Sequence, residues 1–180
     1  MIKQPIAIIA DIHGNRWALE AVLSDIKRRG IQKIINLGDS FYDPLDPVGT
    51  FQMLTNNNIL SILGNEDRVL LNSSKNNVEN PTIKFVKQSL SEHALNWLAS
   101  LKVNIIVNDD IFACYGSPLS DDDFLLEEIV EDGISLKNSQ KLVENLSMVN
   151  QDIILCGHSH IPRTVYLPTG QFVINPGLWD

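Results

Sequence analysis

The chain has 180 residues, of which 44% are hydrophobic and 20% are charged, and its formal net charge is -8 at pH 7. This length allows one well-buried core, so we predict a single domain over residues 1–180. The composition excludes a disordered protein, and the negative charge argues against an extended nucleic-acid surface, which needs clustered Lys and Arg. No apolar run is long enough to span a membrane, and the N-terminal residues lack a signal-peptide pattern, so we expect a cytoplasmic protein without a membrane partner.

The first half of the chain alternates strands and helices. The apolar run "PIAIIA" predicts a strand, and a helix follows with Asn15 as its N-cap and Gly30 as its stop. "KIINLGD" predicts a second strand, "DPVGTFQMLTNNN" a helix, and "ILSILGNED" a third strand. Three strands joined by helical crossovers imply a parallel sheet. The polar stretch "NSSKNNVEN" after them is typical of a flexible insertion.

The second half predicts a different pattern. A helix capped by Ser91 precedes "VNIIVNDDIFACYG", which indicates an antiparallel hairpin with a tight Asn-Asp-Asp turn. We then predict helices over 124–131 and 137–148, a strand at "DIILCG", and a hairpin that turns at 168–170. Cys114 and Cys156 lie in apolar runs and are expected to be buried free thiols.

Metal-binding residue types stand where the predicted strands end. Asp11 and His13 follow the first strand, Asp39 follows the second, Asn65 follows the third, and His158 and His160 follow a later one. Because the ends of parallel strands share one edge of a sheet, we expect these side chains to meet there. The remaining histidine, His93, lies on a predicted helix and is expected to be structural or exposed.

Carboxylate, imidazole and amide oxygen together form a ligand set for divalent transition metals such as Mn, Fe, Co, Ni or Zn. Asp39 could bridge two such ions about 3.5 to 4 Å apart, as in two-metal hydrolytic sites. Each motif alone occurs by chance, but the four together predict a metal site.

In this order, "DIHGN", "GD", "GNED" and "GHSH" resemble the motifs of the calcineurin-like metallophosphoesterases, in particular the small bacterial phosphodiesterase-like branch. The resemblance implies an α/β fold, a four-layer α-β-β-α sandwich with two mixed β-sheets and a dinuclear metal site at the strand ends. It also implies that two ions share Asp39. One would be held by Asp11, His13, Asp39 and His160, and the other by Asp39, Asn65, His158 and a further His.

The chain departs from the family at three places. Tyr115 stands where the further His is expected, and a phenol of ordinary pKa is a poor ligand, so the second ion should bind more weakly than the first. Glu66 replaces a common His; it could protonate the leaving group if its pKa is raised, but we favour a surface or loop-fixing role. The C-terminal end is shorter than usual, so an exposed Trp179 and an open sheet edge favour a homo-oligomer.

The resemblance implies hydrolysis of a phosphodiester or phosphomonoester by a metal-activated hydroxide. Asp39, Asn65 and His158 are the expected catalytic residues, and Asn65 and Arg68 are expected to bind the phosphate, although Arg68 could equally be a solvated loop residue. The alternative is a catalytically impaired protein-binding scaffold on the same fold, as the small retromer subunit is. A Rossmann or phosphate-loop protein is not supported, because the glycine-rich phosphate loop is missing.

Overall fold

Short apolar runs of the sequence form the strands, and longer amphipathic stretches form the helices. The computed structural model describes residues 4–73 and 80–178. The first half comprises β1 (Ile6–Ile9), α1 (Arg16–Arg28), β2 (Lys33–Asn36), α2 (Pro47–Asn56), β3 (Leu60–Ser61), α3 (Asn65–Asn72), α4 (Pro81–Ser89) and α5 (Glu92–Ser100). The second half comprises β4 (Asn104–Asn108), β5 (Ile111–Cys114), β6 (Glu127–Val130), β7 (Gly133–Leu136), α6 (Ser139–Asn145), β8 (Ile153–Leu155), β9 (Arg163–Tyr166) and β10 (Phe172–Asn175).

The first sheet has the order β1-β2-β3 and is parallel throughout, as the helical crossovers predict. Asn15 caps α1 by accepting a hydrogen bond from the backbone N–H of Ala18 at 3.1 Å. Asp46 caps α2 in the same way, accepting from the N–H of Gly49 at 2.8 Å. Both helices therefore begin where a polar side chain satisfies an otherwise unpaired N–H group.

The second sheet has the order β4-β5-β8-β10-β9 and is mixed. The predicted β4–β5 hairpin is antiparallel, β5 and β10 both run parallel to β8, and β9 closes one edge antiparallel to β10. This confirms both predicted hairpins.

The two sheets pack face to face. Along each strand, the side chains alternate between this contact and the outer helices. On β5, Ile111 and Ala113 face the other sheet, whereas Phe112 and Cys114 face α6. The first sheet alternates likewise, with Ile35 toward the second sheet and Ile34 toward the helices α1 to α5. This period of two confirms the predicted four-layer sandwich, with helices outside both sheets.

The structure corrects the prediction of a helix over 124–131. Residues of this stretch form β6, which pairs with β7 in a separate antiparallel hairpin, with Ile129 opposite Ile134. The two-residue turn is Glu131-Asp132, and Gly133, which begins β7 opposite Val130, has a φ of 131°, which favours glycine. An Asp-Gly pair is a common hairpin signal, and it lies here one position after the centre of the turn.

The helices α3 and α4 were not predicted. "GNED" was assigned to the end of a strand, but β3 ends at Ser61 and Asn65 begins α3. Glu66 and Asp67 lie in the first turn of α3, where negative charge favours the helix dipole. The predicted helix over 137–148 is confirmed in shorter form as α6.

Several smaller predictions concern single residues. Cys114 and Cys156 are buried free thiols as expected, and burial raises the pKa of Cys114 to about 12. His93 is exposed, and its ring packs edge-on against Phe51 with 5.5 Å between the ring centroids. Trp179 and most of the predicted insertion, residues 74–79, lie outside the described residues. In the part of the chain that the structure describes, no helix has both the length and the apolar character to cross a membrane.

Candidate metal centre

The loops that follow β1 and β2 run side by side and bring the first predicted ligands together. The backbone N–H of Asp11 donates to the carbonyl of Gly38 at 3.0 Å, and the N–H of His13 donates to the carbonyl of Asp39 at 2.9 Å. The two loops thus continue the pairing of the strands beyond the sheet edge. Asp11, His13 and Asp39 are held by backbone hydrogen bonds and not only by their side chains.

Most of the predicted ligands have an unusual backbone conformation. Among the described residues other than glycine, those with a positive φ are Asp11, His13, Asp39, Asn58, His158 and His160, with φ values between 49° and 72°. All of them except Asn58 are predicted metal ligands. Left-handed backbone costs about 1 to 3 kcal/mol for such residues and clusters at functional sites. The pairs Asp11–His13 and His158–His160 were expected to continue their strands in extended conformation. They lie instead in tight turns, which direct their side chains to the site.

The start of α3 is packed against Asp39. A Cβ atom on Gly64 would lie 2.0 Å from Oδ1 of Asp39, so only glycine allows this approach. The N–H of Glu66 donates to the same oxygen at 3.0 Å. Fully buried Asp67 accepts from the N–H of Ser40 at 3.1 Å and thereby ties α3 to the loop that carries Asp39.

Asp11, His13 and His160 form the first group of converging ligand atoms. The Nε2 atoms of the two histidines are 3.3 Å apart, and His160 Nε2 lies 3.5 Å from Oδ1 of Asp11. Ligand atoms bound to one transition metal at about 2.0 to 2.2 Å are about 2.8 to 3.6 Å from each other in octahedral or tetrahedral geometry. The second oxygen of Asp11, Oδ2, is buried without a hydrogen-bond partner. The spacing and the unpaired oxygen fit a divalent cation.

His13, Asp39 and Glu66 form a second group. Oε2 of Glu66 lies 3.3 Å from Nδ1 of His13, and both atoms are buried without a well-directed hydrogen bond. Glu66 was expected at the surface or fixing its loop, but it directs a buried carboxylate oxygen to His13. Oδ2 of Asp43 lies 3.9 Å from the same nitrogen of His13.

The charges of the site shift its pKa values strongly. Burial lowers the pKa of His13, but the carboxylates of Glu66, Asp39 and Asp11 outweigh this effect and raise it to about 9. Burial and the nearby charge of Asp67 raise the pKa of Asp39 well above its ordinary value. A cation that binds these groups must therefore displace protons, so its affinity should increase with pH.

Tyr115 lies between the two sheets and is 1% exposed. Its hydroxyl contacts the carboxylates of both Asp11, at 2.7 Å, and Asp39. Burial and the charges of these two carboxylates raise the pKa of the phenol, so the hydroxyl keeps its proton and donates it to them. Tyr115 is therefore at the site, where its hydroxyl binds the carboxylates that would hold the ions.

The other predicted residues contact residues 117–123, the segment after β5 that we call the acidic loop. Asn65 Nδ2 donates to Oδ1 of Asp122 at 3.1 Å, and His158 Nε2 lies 3.1 Å from the carbonyl oxygen of Asp122. Arg68 lies on α3 and not in a loop, and it donates to both carboxylate oxygens of Asp121 at 2.6 and 2.9 Å and to Asp122 at 2.8 Å. Oδ1 of Asn65 is buried and unpaired, which leaves it free to bind a cation.

Sequence reasoning found the residues of the candidate site but missed their neighbours. Neither Asp122 nor Asp67 was predicted to lie at the site. The acidic first turn of a helix after Gly64 was the available signal for Asp67. No local signal indicated Asp122, because its contacts come from α3 and from the loop after β8.

A family model and one curated relative match nearly the whole chain. The family model described as the calcineurin-like phosphoesterase superfamily domain matches residues 5–179. The uncharacterised protein MJ0912 of Methanocaldococcus jannaschii is 33% identical over 98% of this chain and 76% of its own length.

Solved structures resemble the chain as well. A metallophosphoesterase from Sphaerobacter thermophilus is 24% identical, covers 97% of this chain and 76% of its own, and has a TM-score of 0.76. The hypothetical protein PH1004 from Pyrococcus horikoshii OT3 is 22% identical, with the same coverage of 97% and 76% and the same TM-score of 0.76. At these identities the two structures support the fold alone.

The left-handed backbone conformation of His160 can be tested by substitution. In a chelating buffer, we expect His160→Gly to be more stable than His160→Ala by about 1 kcal/mol, because only glycine adopts a positive φ without strain. Chemical denaturation measures the difference. Asn58, which also has a positive φ, should show the same order for Gly and Ala. Gln52, an exposed residue within α2, should show the reverse order, and a reverse order at His160 would contradict the strain.

Proposed function

Because the chain belongs to the calcineurin-like phosphoesterase superfamily, we propose that it hydrolyses a phosphodiester or a phosphomonoester with a bound divalent transition metal. Members of this superfamily generally hydrolyse phosphate esters. The observation that carries the proposal is the set of left-handed residues Asp11, His13, Asp39, His158 and His160. A fold that maintains this conformation at five predicted ligands needs a reason for its cost, and bound cations would supply one.

The first ion would be held by Asp11, His13, Asp39 and His160. Carboxylate and imidazole ligands suit Mn, Fe, Co, Ni or Zn, and the choice among these metals depends on availability as much as on the ligands. A divalent cation bound here supplies Lewis acidity and lowers the pKa of water. The short separations between the ligand atoms of Asp11, His13 and His160 support this position.

A second ion would share Asp39 with Asn65 and His158, and we propose that it binds more weakly than the first. The family pattern offers a further His here, whereas this chain offers the neutral phenol of Tyr115. Its hydroxyl proton already binds the carboxylates of Asp11 and Asp39. The free Oδ1 of Asn65 still favours some affinity.

Asn65 and Arg68 are proposed to bind the substrate phosphate, and Asp39, Asn65 and His158 to be the catalytic residues. Asn65 and Arg68 both donate hydrogen bonds to the carboxylate of Asp122, so their donors already point at one anionic group. A phosphate accepts hydrogen bonds from the same donors, and charge-assisted bonds to a guanidinium are among the stronger ones. The substrate would thus displace the Asp122 carboxylate.

The second candidate is the protein-binding scaffold with an impaired site. One observation favours it, namely that Tyr115 binds both carboxylates that the ions would need. Metal binding separates the candidates, because the scaffold does not need a cation. A single domain over residues 1–180, a cytoplasmic location, manganese as the natural metal and a homo-oligomer remain predictions.

The proposed hydrolytic activity should depend on a bound metal ion. We expect Mn²⁺ to bind the protein with a stoichiometry of at least about one, and to raise the rate of bis(4-nitrophenyl) phosphate hydrolysis above that of Mn²⁺ in buffer. Asp39→Asn should lower this rate by at least about a hundredfold, because it removes a shared carboxylate ligand. Isothermal titration calorimetry and a colorimetric assay measure the two effects.

Asp132→Asn, in the exposed turn between β6 and β7, is the matched control and should leave both quantities unchanged. If Mn²⁺ neither binds nor accelerates hydrolysis, the scaffold and not the enzyme is supported.

Restoring the family residue tests the second ion site. We expect Tyr115→His to raise the number of tightly bound Mn²⁺ ions from about one to about two, because an imidazole replaces a hydroxyl that is a poor ligand. Elemental analysis after equilibrium dialysis counts the ions. Tyr115→Phe is the control, because it removes the hydroxyl without adding a ligand. Equal ion counts in Tyr115→His and the unchanged protein would show that Tyr115 does not limit the second site.

The contact of Glu66 with His13 predicts a positioning role for Glu66. A carboxylate that accepts the Nδ1–H proton of a ligating His fixes its orientation, and losing such a partner weakens metal binding about 10- to 100-fold. We expect that loss of Mn²⁺ affinity in Glu66→Ala, and a smaller loss in Glu66→Gln, whose amide oxygen still accepts the proton.

Asp43→Asn is the matched control, since its carboxylate lies 3.9 Å from the same nitrogen, and it should change the affinity little. Calorimetry gives the affinities, and ¹⁵N NMR of the Zn²⁺-loaded protein reports whether Nδ1 of His13 carries the proton. If Gln and Ala at position 66 weaken binding equally, Glu66 is a direct ligand and not a positioning residue.

A further inference from the structure

A cavity of about 390 Å³ opens beside the candidate metal centre. His13, Glu66 and His160 form its wall toward the metal centre. The rest of its lining comes from the loops after β1 and β2 and from the end of the described chain: Ile12, Asn15, Tyr42, Asp43, Leu45 and Leu178. A group attached to a phosphate at the metal centre would therefore extend into this cavity.

One side of the cavity is apolar and contains an aromatic ring. Tyr42, Leu45, Ile12 and Leu178 provide this surface. The hydroxyl of Tyr42 accepts a hydrogen bond from Nδ2 of Asn80, the N-cap of α4, at 3.0 Å. This bond and the packing of Tyr42 against the core under the helices fix the ring. The part of the ring that lines the cavity is therefore a rigid aromatic surface for a flat ligand.

Away from its inner wall, the cavity carries negative charge. Asp43, whose side chain is 50% exposed, lines this outer part, whereas no Lys or Arg among residues 4–73 and 80–178 lines the cavity. Arg16, the basic residue next to Asn15, forms an ion pair with Asp46 at 3.2 Å. Positive charge is confined to the inner wall of His13 and His160, so a phosphate chain that extended past these residues would meet the carboxylate of Asp43 and no cationic side chain of Lys or Arg.

We propose that this cavity binds the alcohol part of the substrate and that it takes an aromatic group without negative charge, such as a nucleoside or an aryl group. The inference rests on the proposed function. In hydrolysis, water supplies the oxygen that joins phosphorus, the bond from phosphorus to the ester oxygen breaks, and the departing alcohol takes up a proton. Dinucleoside polyphosphates, which are cleaved at a phosphoanhydride bond and release a nucleotide instead of an alcohol, would place further phosphates in the cavity and are disfavoured by Asp43.

Adenosine and ATP are suitable probes because they share a ring and differ in charge. The full chain is titrated with each in a chelating buffer, and the amide signals of Tyr42 and Asp43 are followed by NMR. We expect adenosine to bind at least about tenfold more tightly than ATP, because the carboxylates repel the triphosphate. Tyr42→Ala should abolish adenosine binding, whereas Tyr42→Phe, which keeps the ring, should preserve it.

Charge reversal tests the specificity directly. Asp43→Lys should reduce the preference for adenosine over ATP by about tenfold or more, and Asp43→Asn should reduce it by less. The same charge change at a distance, Asp132→Lys, should leave the preference unchanged. Circular dichroism verifies that each variant is folded, and Asp43→Asn alone suffices if Asp43→Lys is not.

Kinetics connect the cavity to the substrate. With Mn²⁺ bound, Asp43→Lys should raise kcat/KM for diadenosine tetraphosphate relative to bis(4-nitrophenyl) phosphate, mainly through KM. The inference is overturned if ATP binds as tightly as adenosine, or if neither Asp43 variant changes the preference. Failure of the unchanged protein to hydrolyse any ester with Mn²⁺ overturns the proposed function instead, and the NMR titration, which needs no metal, distinguishes the two results.

Discussion

Three carboxylates are buried at one edge of the first sheet, and the rest of the candidate site depends on how their charge is compensated. Asp11 and Asp67 are 0% exposed and Asp39 is 2% exposed. An uncompensated carboxylate in such a position is costly, so each must receive hydrogen bonds, a proton or a cation. Asp67 accepts from the backbone N–H groups of Ser40 and Gly64, and burial still raises its pKa to about 6.

Asp11 and Asp39 are compensated less completely. Both contact the Tyr115 hydroxyl, which has only one proton to donate, so one contact at a time lacks a hydrogen bond unless a carboxyl group is protonated. This shortage agrees with the raised pKa of Asp39 and with the unpaired Oδ2 of Asp11. Protons and a divalent cation therefore compete for the same oxygen atoms. The hydrogen bond from Tyr115 stabilises the charged form of Asp39 and so lowers its pKa, which partly offsets the effect of burial.

Periodicity predicted the parts of the fold whose residues act locally. The hairpin of β4 and β5 and the cap at Asn15 are local properties, and both appear in the structure as expected. The hairpin of β6 and β7 was missed because "FLLEEIVEDG" has helical propensity. Its Asp-Gly pair, which indicates a hairpin, was overlooked.

The candidate site was predicted in its residue types but not in its geometry. Spacing along the chain cannot show that His13 directs Nε2 to His160 and Nδ1 to Glu66, since these contacts join separate loops. Nor can it show a left-handed backbone, which Asp and His adopt only where neighbouring hydrogen bonds impose it. The contact of Asp122 with Asn65 is likewise set by tertiary structure.

The acidic loop is compatible with catalysis because its backbone and its side chains are held differently. A Cβ atom on Gly116 would lie 2.7 to 2.8 Å from carbonyl oxygens of Ser120, Asp121 and Asp123, so the loop backbone packs closely on this glycine. The side chain of Asp122, by contrast, is 63% exposed. Ion pairs of such exposed groups contribute only about 0 to 1 kcal/mol, so a phosphate that also contacts a bound cation can displace this carboxylate from Arg68 without moving the backbone. The acidic loop thus keeps oriented the donors of Asn65 and Arg68 that we propose to bind the substrate phosphate.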